Sequence, residues 1–240
     1  MVVVSDIKLQ IPEYVFQFMA LPQTESCIFL HEGNMYVNTI NSEKTVMFQY
    51  EEPTRYIVSL EDFELSGGIP FKTDKDVNLV NLVDVRDGYA WFKVDGVYLV
   101  IPVRKGSFLR FPVKGSESDW AWAAMAVESL TKKARKISPE LLFNGWTYVE
   151  VDEKSIALTE RFTPNNRKVL VEEKLPSNIS PGMIVEANLF FNTLRVLQRV
   201  LRTKNPVDYL YKFEHPPNTR GLGLVSSYHK IYTLIAPAAL

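Results

Sequence analysis

Short runs of mostly apolar residues, separated by polar turn-forming ones, recur along most of this chain and read as strands. Near the N-terminus, residues 2–9 read as an opening strand, followed by a short helix over 12–20 that begins at a proline, as helices prefer. Strands are predicted at 26–31, 35–40 and 45–50, separated by the turn-forming Glu32-Gly33-Asn34 and Asn41-Ser42. A strand at 56–59 runs into a helical stretch at 60–66, which Gly67-Gly68 terminates. Three more strands follow at 77–85, 89–94 and 97–103. Asp87-Gly88 and Asp95-Gly96 join them, dipeptides suited to turns that need positive φ at both central residues.

Two later segments change to a helical period. Over 119–137, Ala123, Val127, Leu130, Ala134 and Ile137 form one stripe; over 189–204, Phe190, Leu194, Leu197 and Leu201 form another. Strands at 207–214, 221–227 and 230–236 close the chain.

The chain also repeats itself. Gly33-Asn34-Met35-Tyr36-Val37, Glu43-Lys44-Thr45-Val46 and Pro53 recur in order as Gly145-Trp146-Thr147-Tyr148-Val149, Glu153-Lys154-Ser155-Ile156 and Pro164. Ile57-Val58 with Phe63 recurs as Ile184-Val185 with Phe190. Val97-Tyr98-Leu99-Val100-Ile101-Pro102 recurs as Ile231-Tyr232-Thr233-Leu234-Ile235-Ala236-Pro237. Each match is weak alone, but five in one order, with spacing that grows only through insertions, indicate a duplicated domain. Residues 1–112 are expected to be one copy and 113–240 the other, with a linker near 104–118 where Gly, Ser and Pro cluster. Antiparallel sheets with two helices, used twice, are an α+β architecture.

Charge divides along the same boundary. The net charge is −1, yet residues 1–112 carry ten Lys and Arg against fifteen Asp and Glu, and residues 113–240 carry seventeen against thirteen. Such asymmetry suits a nucleic-acid partner, and it equally suits acidic and basic faces that meet between domains or subunits. The single cysteine, Cys27, cannot close an internal disulfide, and its apolar surroundings suggest a buried thiol in a reducing, intracellular setting. The longest apolar runs are too short to span a bilayer, and the N-terminus lacks the features of a secretory signal, so no membrane association is expected.

The element order, used twice, resembles the DNA polymerase sliding clamps, closest in size and layout to the two-domain proliferating-cell-nuclear-antigen and bacteriophage type. The resemblance covers nearly the whole chain. It is most specific from Met183 onward, where Ile184-Val185-Glu186-Ala187 enters a helix and the last strand ends in Tyr232-Thr233-Leu234-Ile235-Ala236-Pro237. It implies a processivity factor: a homotrimeric ring that encircles double-stranded DNA without reading sequence and tethers DNA polymerase, loaded by a clamp loader. It also implies helices lining the hole, head-to-tail joints between edge strands at 97–103 and 155–162, and a peptide pocket beside the linker and C-terminal strand. By position Phe108, Leu109, Phe111, Ala236 and Pro237 would form that pocket; Phe108 and Phe111 suit an interdomain core equally well.

A ring that slides needs diffuse positive charge directed at phosphates. Arg195, Arg199 and Arg202 are spaced i, i+4, i+7, away from the apolar stripe of the same helix, and Lys204 extends the charge. The helix dipole does not account for mid-helix cations, which points these to phosphate. Lys132, Lys133, Arg135 and Lys136 crowd the last turns of the other helix, where they suit the dipole as well as DNA. The first copy departs from the pattern: its helical segments carry Glu13, Glu61, Asp62 and Glu64.

Enzyme chemistry finds little in the sequence. His31, His215 and His229 show no ligand spacing, and Arg220-Gly221-Leu222-Gly223 lacks the third glycine of a dinucleotide loop. No Gly-x-Ser-x-Gly elbow occurs. The pairs Glu51-Glu52 and Glu172-Glu173 are expected to be solvated loop charges. The expectation is therefore a protein without catalytic activity, cofactor or metal. The alternatives are a monomeric clamp-like DNA-binding factor and a β-rich structural protein, such as a virion component, with no DNA role.

Overall fold

The protein is described by a computed structural model covering residues 9–53, 63–66, 79–94, 96–104, 112–137, 144–163, 166–180, 182–215 and 219–239. The expected strand at 56–59 and the linker aromatics Phe108, Leu109 and Phe111 lie outside the described residues. The chain separates into two compact units, residues 1–112 and 113–240.

In the first unit, β1 (Leu9–Pro12) leads directly into helix α1 (Glu13–Met19), with Pro12 at the cap holding φ −55° and ψ 142°. Strands β2 (Thr24–His31), β3 (Asn34–Asn41) and β4 (Val46–Pro53) form an antiparallel meander. The β2–β3 turn places Glu32 at φ 49° and Gly33 at φ 79°, the twist that matches flanking strands. Next come β5 (Phe63–Ser66), β6 (Leu79–Arg86), β7 (Tyr89–Val94) and β8 (Val97–Arg104). Asp87 and Gly88 adopt φ 53° and 78° between β6 and β7, as their sequence predicts. The strand order is β1-β6-β7-β8-β5-β2-β3-β4.

The expected helix at 60–66 is overturned in its described part. Phe63–Ser66 is a strand that pairs with β2 and with the end of β8. A four-residue stretch has little intrinsic helical stability, and two neighbouring strands offering backbone partners decide its conformation.

Helix α1 is embedded in the unit: Val15, Phe16, Phe18 and Met19 are buried. Phe16 packs on Phe92 with ring centroids 5.5 Å apart, and Phe18 stacks on Phe48 at 4.6 Å. Glu13 is buried as well and accepts a hydrogen bond from Gln17.

The second unit opens with a short 3-10 turn, Glu117–Asp119, and strand β9 (Ala121–Trp122), and only then helix α2 (Ala124–Ala134). The helix therefore starts five residues later than its pattern suggested. Ala121 and Trp122 pair with Leu210 and Tyr209, so sheet pairing takes the residues that would have formed the first turn. Strands β10 (Thr147–Asp152), β11 (Ser155–Thr163) and β12 (Asn166–Lys174) form a meander, and β13 (Met183–Glu186) runs into helix α3 (Ala187–Val200). The chain ends with β14 (Tyr209–His215), β15 (Thr219–Ser226) and β16 (Ile231–Ile235). One sheet has the order β12-β11-β10-β13; the other strands run β16-β15-β14-β9. Helices α2 and α3 contact the first of these sheets, α2 on β11 and β12, α3 on β10 and β13. Leu130, Phe190, Leu197, Val149 and Leu158 are fully or nearly fully buried.

The edge expected at 155–162 also moves. β11 has β10 on one side and β12 on the other, so among the described residues β12 is the sheet's outer strand. In the first unit β8 lies between β7 and β5, but its pairing with β5 involves only Val103 and Arg104.

Candidate nucleic-acid interface

Helix α3 (ANLFFNTLRVLQRV) contains no acidic residue. Its apolar side, Phe190, Leu194 and Leu197, is buried, and its opposite side presents Asn188, Asn192, Arg195 and Arg199 to solvent. The i, i+3/i+4 spacing of those four residues is the reason they share one face. Arg195 Nη1 donates to Asn192 Oδ1 at 3.2 Å, an exposed contact that leaves the guanidinium directed outward.

The helix ends earlier than 204. Leu201 caps it, and Arg202 adopts the left-handed φ of 52°, the conformation that commonly stops a helix. Arg202 and Lys204, both exposed, therefore belong to the turn after the helix, so two of the three striped arginines stand on α3 itself. Gln198 Nε2 donates to the Lys204 carbonyl at 2.8 Å, folding this turn back over the last helical residues.

At the end of α2 and in the turn after it, Lys132, Lys133, Arg135 and Lys136 are exposed. Two are committed to carboxylates: Lys132 pairs with Glu128, and Lys133 Nζ lies 2.6 Å from Glu173 Oε1 on β12. Residues of α2 and of the α3 exit line one groove of about 330 Å³, among them Glu128, Lys132, Arg135, Gln198, Lys204 and Asn205. The structure thus brings Lys132, Arg135 and Lys204 around one depression, with Arg195 and Arg199 adjacent in sequence to its α3 lining residues Leu194 and Gln198.

The acids expected on the first unit's helical segments are placed differently. Glu13 is buried at the start of α1; Glu64 stands on strand β5 and not on a helix; Glu61 and Asp62 lie outside the described residues.

The C-terminal candidates follow β16, with Ala236 half-buried and Pro237 exposed. Ala238 N donates to the Ile184 carbonyl at 2.8 Å and holds this tail against β13.

Of the four paired acids, Glu51, Glu52 and Glu173 are half-buried on strands and Glu172 is exposed. Glu51 and Glu52 are half-buried on β4, where Asn34 Nδ2 donates to Glu51 Oε1 at 3.0 Å and the Tyr50 hydroxyl donates to Glu52 Oε2 at 2.7 Å. Burial, with Glu52 beside it, pushes the Tyr50 phenol well above its usual value. Glu173 binds Lys133 and accepts from Ser129 Oγ at 2.9 Å. Folding places Glu51, Glu52 and Glu173 beside donors that a solvated loop would not supply.

Sequence reasoning missed Glu150. It is buried on β10, and its carboxylate takes hydrogen bonds from Arg161 Nε and Thr159 Oγ1 on Oε1 and from Arg167 Nε on Oε2 at 2.7 Å. Burial works against its ionisation, but the hydrogen bonds from Arg161, Thr159 and Arg167 outweigh it and hold the carboxyl below the usual carboxylate range. Only strand register brings these residues together: Thr159 pairs opposite Tyr148 and Arg161 opposite Arg167. Among the described residues, no group of three or more His, Cys, Asp or Glu is placed to hold a metal ion, and no helix is long and apolar enough to cross a membrane.

The fold defined by these elements is that of the DNA sliding clamps. By sequence, no family model and no curated protein matches the chain. Among solved structures, it is similar over 97% of its length to 99% of a chain in the PCNA2–PCNA3 complex of Sulfolobus tokodaii, with a TM-score of 0.58 and 12% identity. PCNA of Thermococcus kodakaraensis matches with a TM-score of 0.51 and 12% identity, covering 94% of this chain and 96% of that one. The DNA polymerase III beta subunit of Thermotoga maritima matches with a TM-score of 0.60 and 9% identity over 97% of this chain but 64% of its own length.

Proposed function

We propose that this chain is a subunit of a sliding clamp, a DNA polymerase processivity factor that holds duplex DNA through phosphate contacts and carries no catalytic step. Residues 1–112 and 113–240 serve as the two clamp domains. The observation that carries the reading is the exposed face of α3, on which Arg195 and Arg199 stand among neutral amides with no carboxylate on the helix. Arg202 and Lys204 continue this charge beyond the helix, and Arg135 and Lys136 add to it from the turn after α2. Such a face attracts any duplex alike, because phosphates repeat regardless of sequence.

Ring closure, with three subunits, would proceed by head-to-tail pairing of β8 of one copy with β12 of the next. Both strands expose apolar side chains unusual for a sheet margin: Val97, Tyr98 and Val100 on β8, and Val169 on β12. A contact between two different surfaces closes into a ring when its rotation permits. DNA polymerase and a clamp loader would be the protein partners, docking by the linker and the Ala236-Pro237 tail.

The test is solution mass together with retention on DNA. A ring gives a multimeric mass, stays on closed circular duplex and is lost from linear duplex through the ends. Equal retention on both forms overturns encirclement; a monomeric mass with salt-dependent binding supports a monomeric clamp-like factor instead.

A further inference from the structure

Glu128 is the single carboxylate on the two helices that line the groove. It has partners on both sides. Lys132, one helical turn on, ion-pairs with Oε1. Asn205, on the turn that leaves α3, donates its side-chain amide to Oε2 at 2.9 Å. Hydrogen bonds from Lys132 and then Asn205 hold the Glu128 carboxyl below its usual value, so it is ionised at neutral pH.

The pair with Lys132 alone would be unremarkable, since glutamate and lysine at i, i+4 commonly meet on a helix surface. The bond to Asn205 is different, because it joins α2 to the segment that presents Arg202 and Lys204. Gln198 anchors the same turn from α3, through the Lys204 carbonyl and by accepting from Thr203 N at 3.3 Å. The turn is thus fastened from both helices, with Glu128 as the α2 fastening.

We propose that Glu128 is a positioning residue for DNA contact, which ties the Arg202–Lys204 turn to α2 and subtracts one charge from the groove. This rests on the clamp reading above. A protein that slides must release each phosphate as readily as it takes it. A carboxylate set inside the groove lowers the hold on DNA without placing a repulsive charge on the exposed face of α3.

Three substitutions separate the two roles. Glu128→Gln removes the charge and keeps a carbonyl oxygen that Asn205 can reach; Glu128→Ala removes both; Asn205→Ala removes the tie alone. Binding of a fluorescent duplex is measured by anisotropy from about 50 to about 200 mM salt. Glu128→Gln is expected to bind more tightly at low salt, and its affinity should fall about 3-fold further than that of the wild type across this range, as for one more phosphate contact. Adding Lys132→Ala should return the salt response to that of the wild type. Unchanged or weaker binding by Glu128→Gln overturns the charge role. Amide exchange at 201–205 should quicken in Glu128→Ala and Asn205→Ala; unchanged exchange in Glu128→Ala overturns the tie, whether or not DNA binds. Absence of salt-dependent binding by the wild type overturns the clamp reading, and exchange still decides the tie.

Discussion

The ring of Tyr211 occupies the space a Cβ on Gly223 would need, the two residues lying opposite each other on β14 and β15. Tyr211 is fully buried, and its hydroxyl donates to the carbonyl of Val113, the first residue of the second unit. Glycine at 223 thus lets the tyrosine reach across its neighbouring strand. Burial raises the phenol's pKa far beyond any working pH, so it stays a donor. Gly223→Ala forces the ring aside and should destabilise the second unit by about 2–3 kcal/mol, as overpacking does. Tyr211→Phe leaves the Val113 carbonyl without this donor and should cost about 1–3 kcal/mol. Urea denaturation followed by tryptophan fluorescence, to which the neighbouring Trp120 reports, measures both. A midpoint unchanged in Gly223→Ala would mean the packing does not hold in solution.

Glu150 ties Arg161 and Arg167 to its strand, and its effect on stability should depend on pH. The folded-state carboxyl titrates below its unfolded value, so its stabilisation is complete above about pH 4.5 and disappears as the pH falls through the lowered value. Glu150→Gln should cost about 1–2 kcal/mol at pH 7. That is less than the loss for a wholly enclosed ion pair, because Arg167 reaches water. Parallel melting curves of wild type and variant should converge as the pH falls through the lowered value. A constant gap would assign the cost to packing and not to charge.

How much of this was legible beforehand depends on the range over which each signal acts. The Asp87-Gly88 turn, the stripe of Phe190, Leu194 and Leu197, and the Glu32-Gly33 turn between β2 and β3 are local, and each was readable from neighbouring residues. The strand at Phe63–Ser66 was not, because β2 and β8 decide it from elsewhere in the chain. Helix α2 was read five residues too early for the same reason, its leading Ala121 and Trp122 being taken by β14. The basic face was legible as an i, i+4 spacing, but the stop after Leu201 was not. Arg202 is a non-glycine residue in a left-handed conformation, and Gln198 holds the turn that follows it. The carboxylate partners of Lys132 and Lys133 divide the same way: Glu128 lies one turn back, while Glu173 comes from a strand that only folding brings near.

If β8 and β12 join copies of the chain, their exposed apolar residues carry that contact. Val100 and Val169 are each about two-fifths exposed, so a charge at either position adds little strain to the isolated fold. Val100→Glu and Val169→Glu should each shift the light-scattering mass toward that of a monomer, with melting changed by only a few degrees. Normal mass in both variants would move the joint elsewhere.

The DNA contact itself is tested most directly at α3. Arg195 and Arg199 share an exposed face, and neither is committed to a carboxylate in the described ion pairs, so each is available to a phosphate. Removing both as Arg195→Ala with Arg199→Ala should weaken duplex binding for all sequences equally and lower the slope of log affinity against log salt by about 2. Lys133→Ala should change the slope far less, since Glu173 already neutralises that cation at 2.6 Å. The contrast matters more than either value. A general loss of positive charge would affect both variants in proportion to charge removed, whereas a defined phosphate face responds to α3 and ignores Lys133. Equal slopes for wild type and the double variant would mean that α3 does not face DNA.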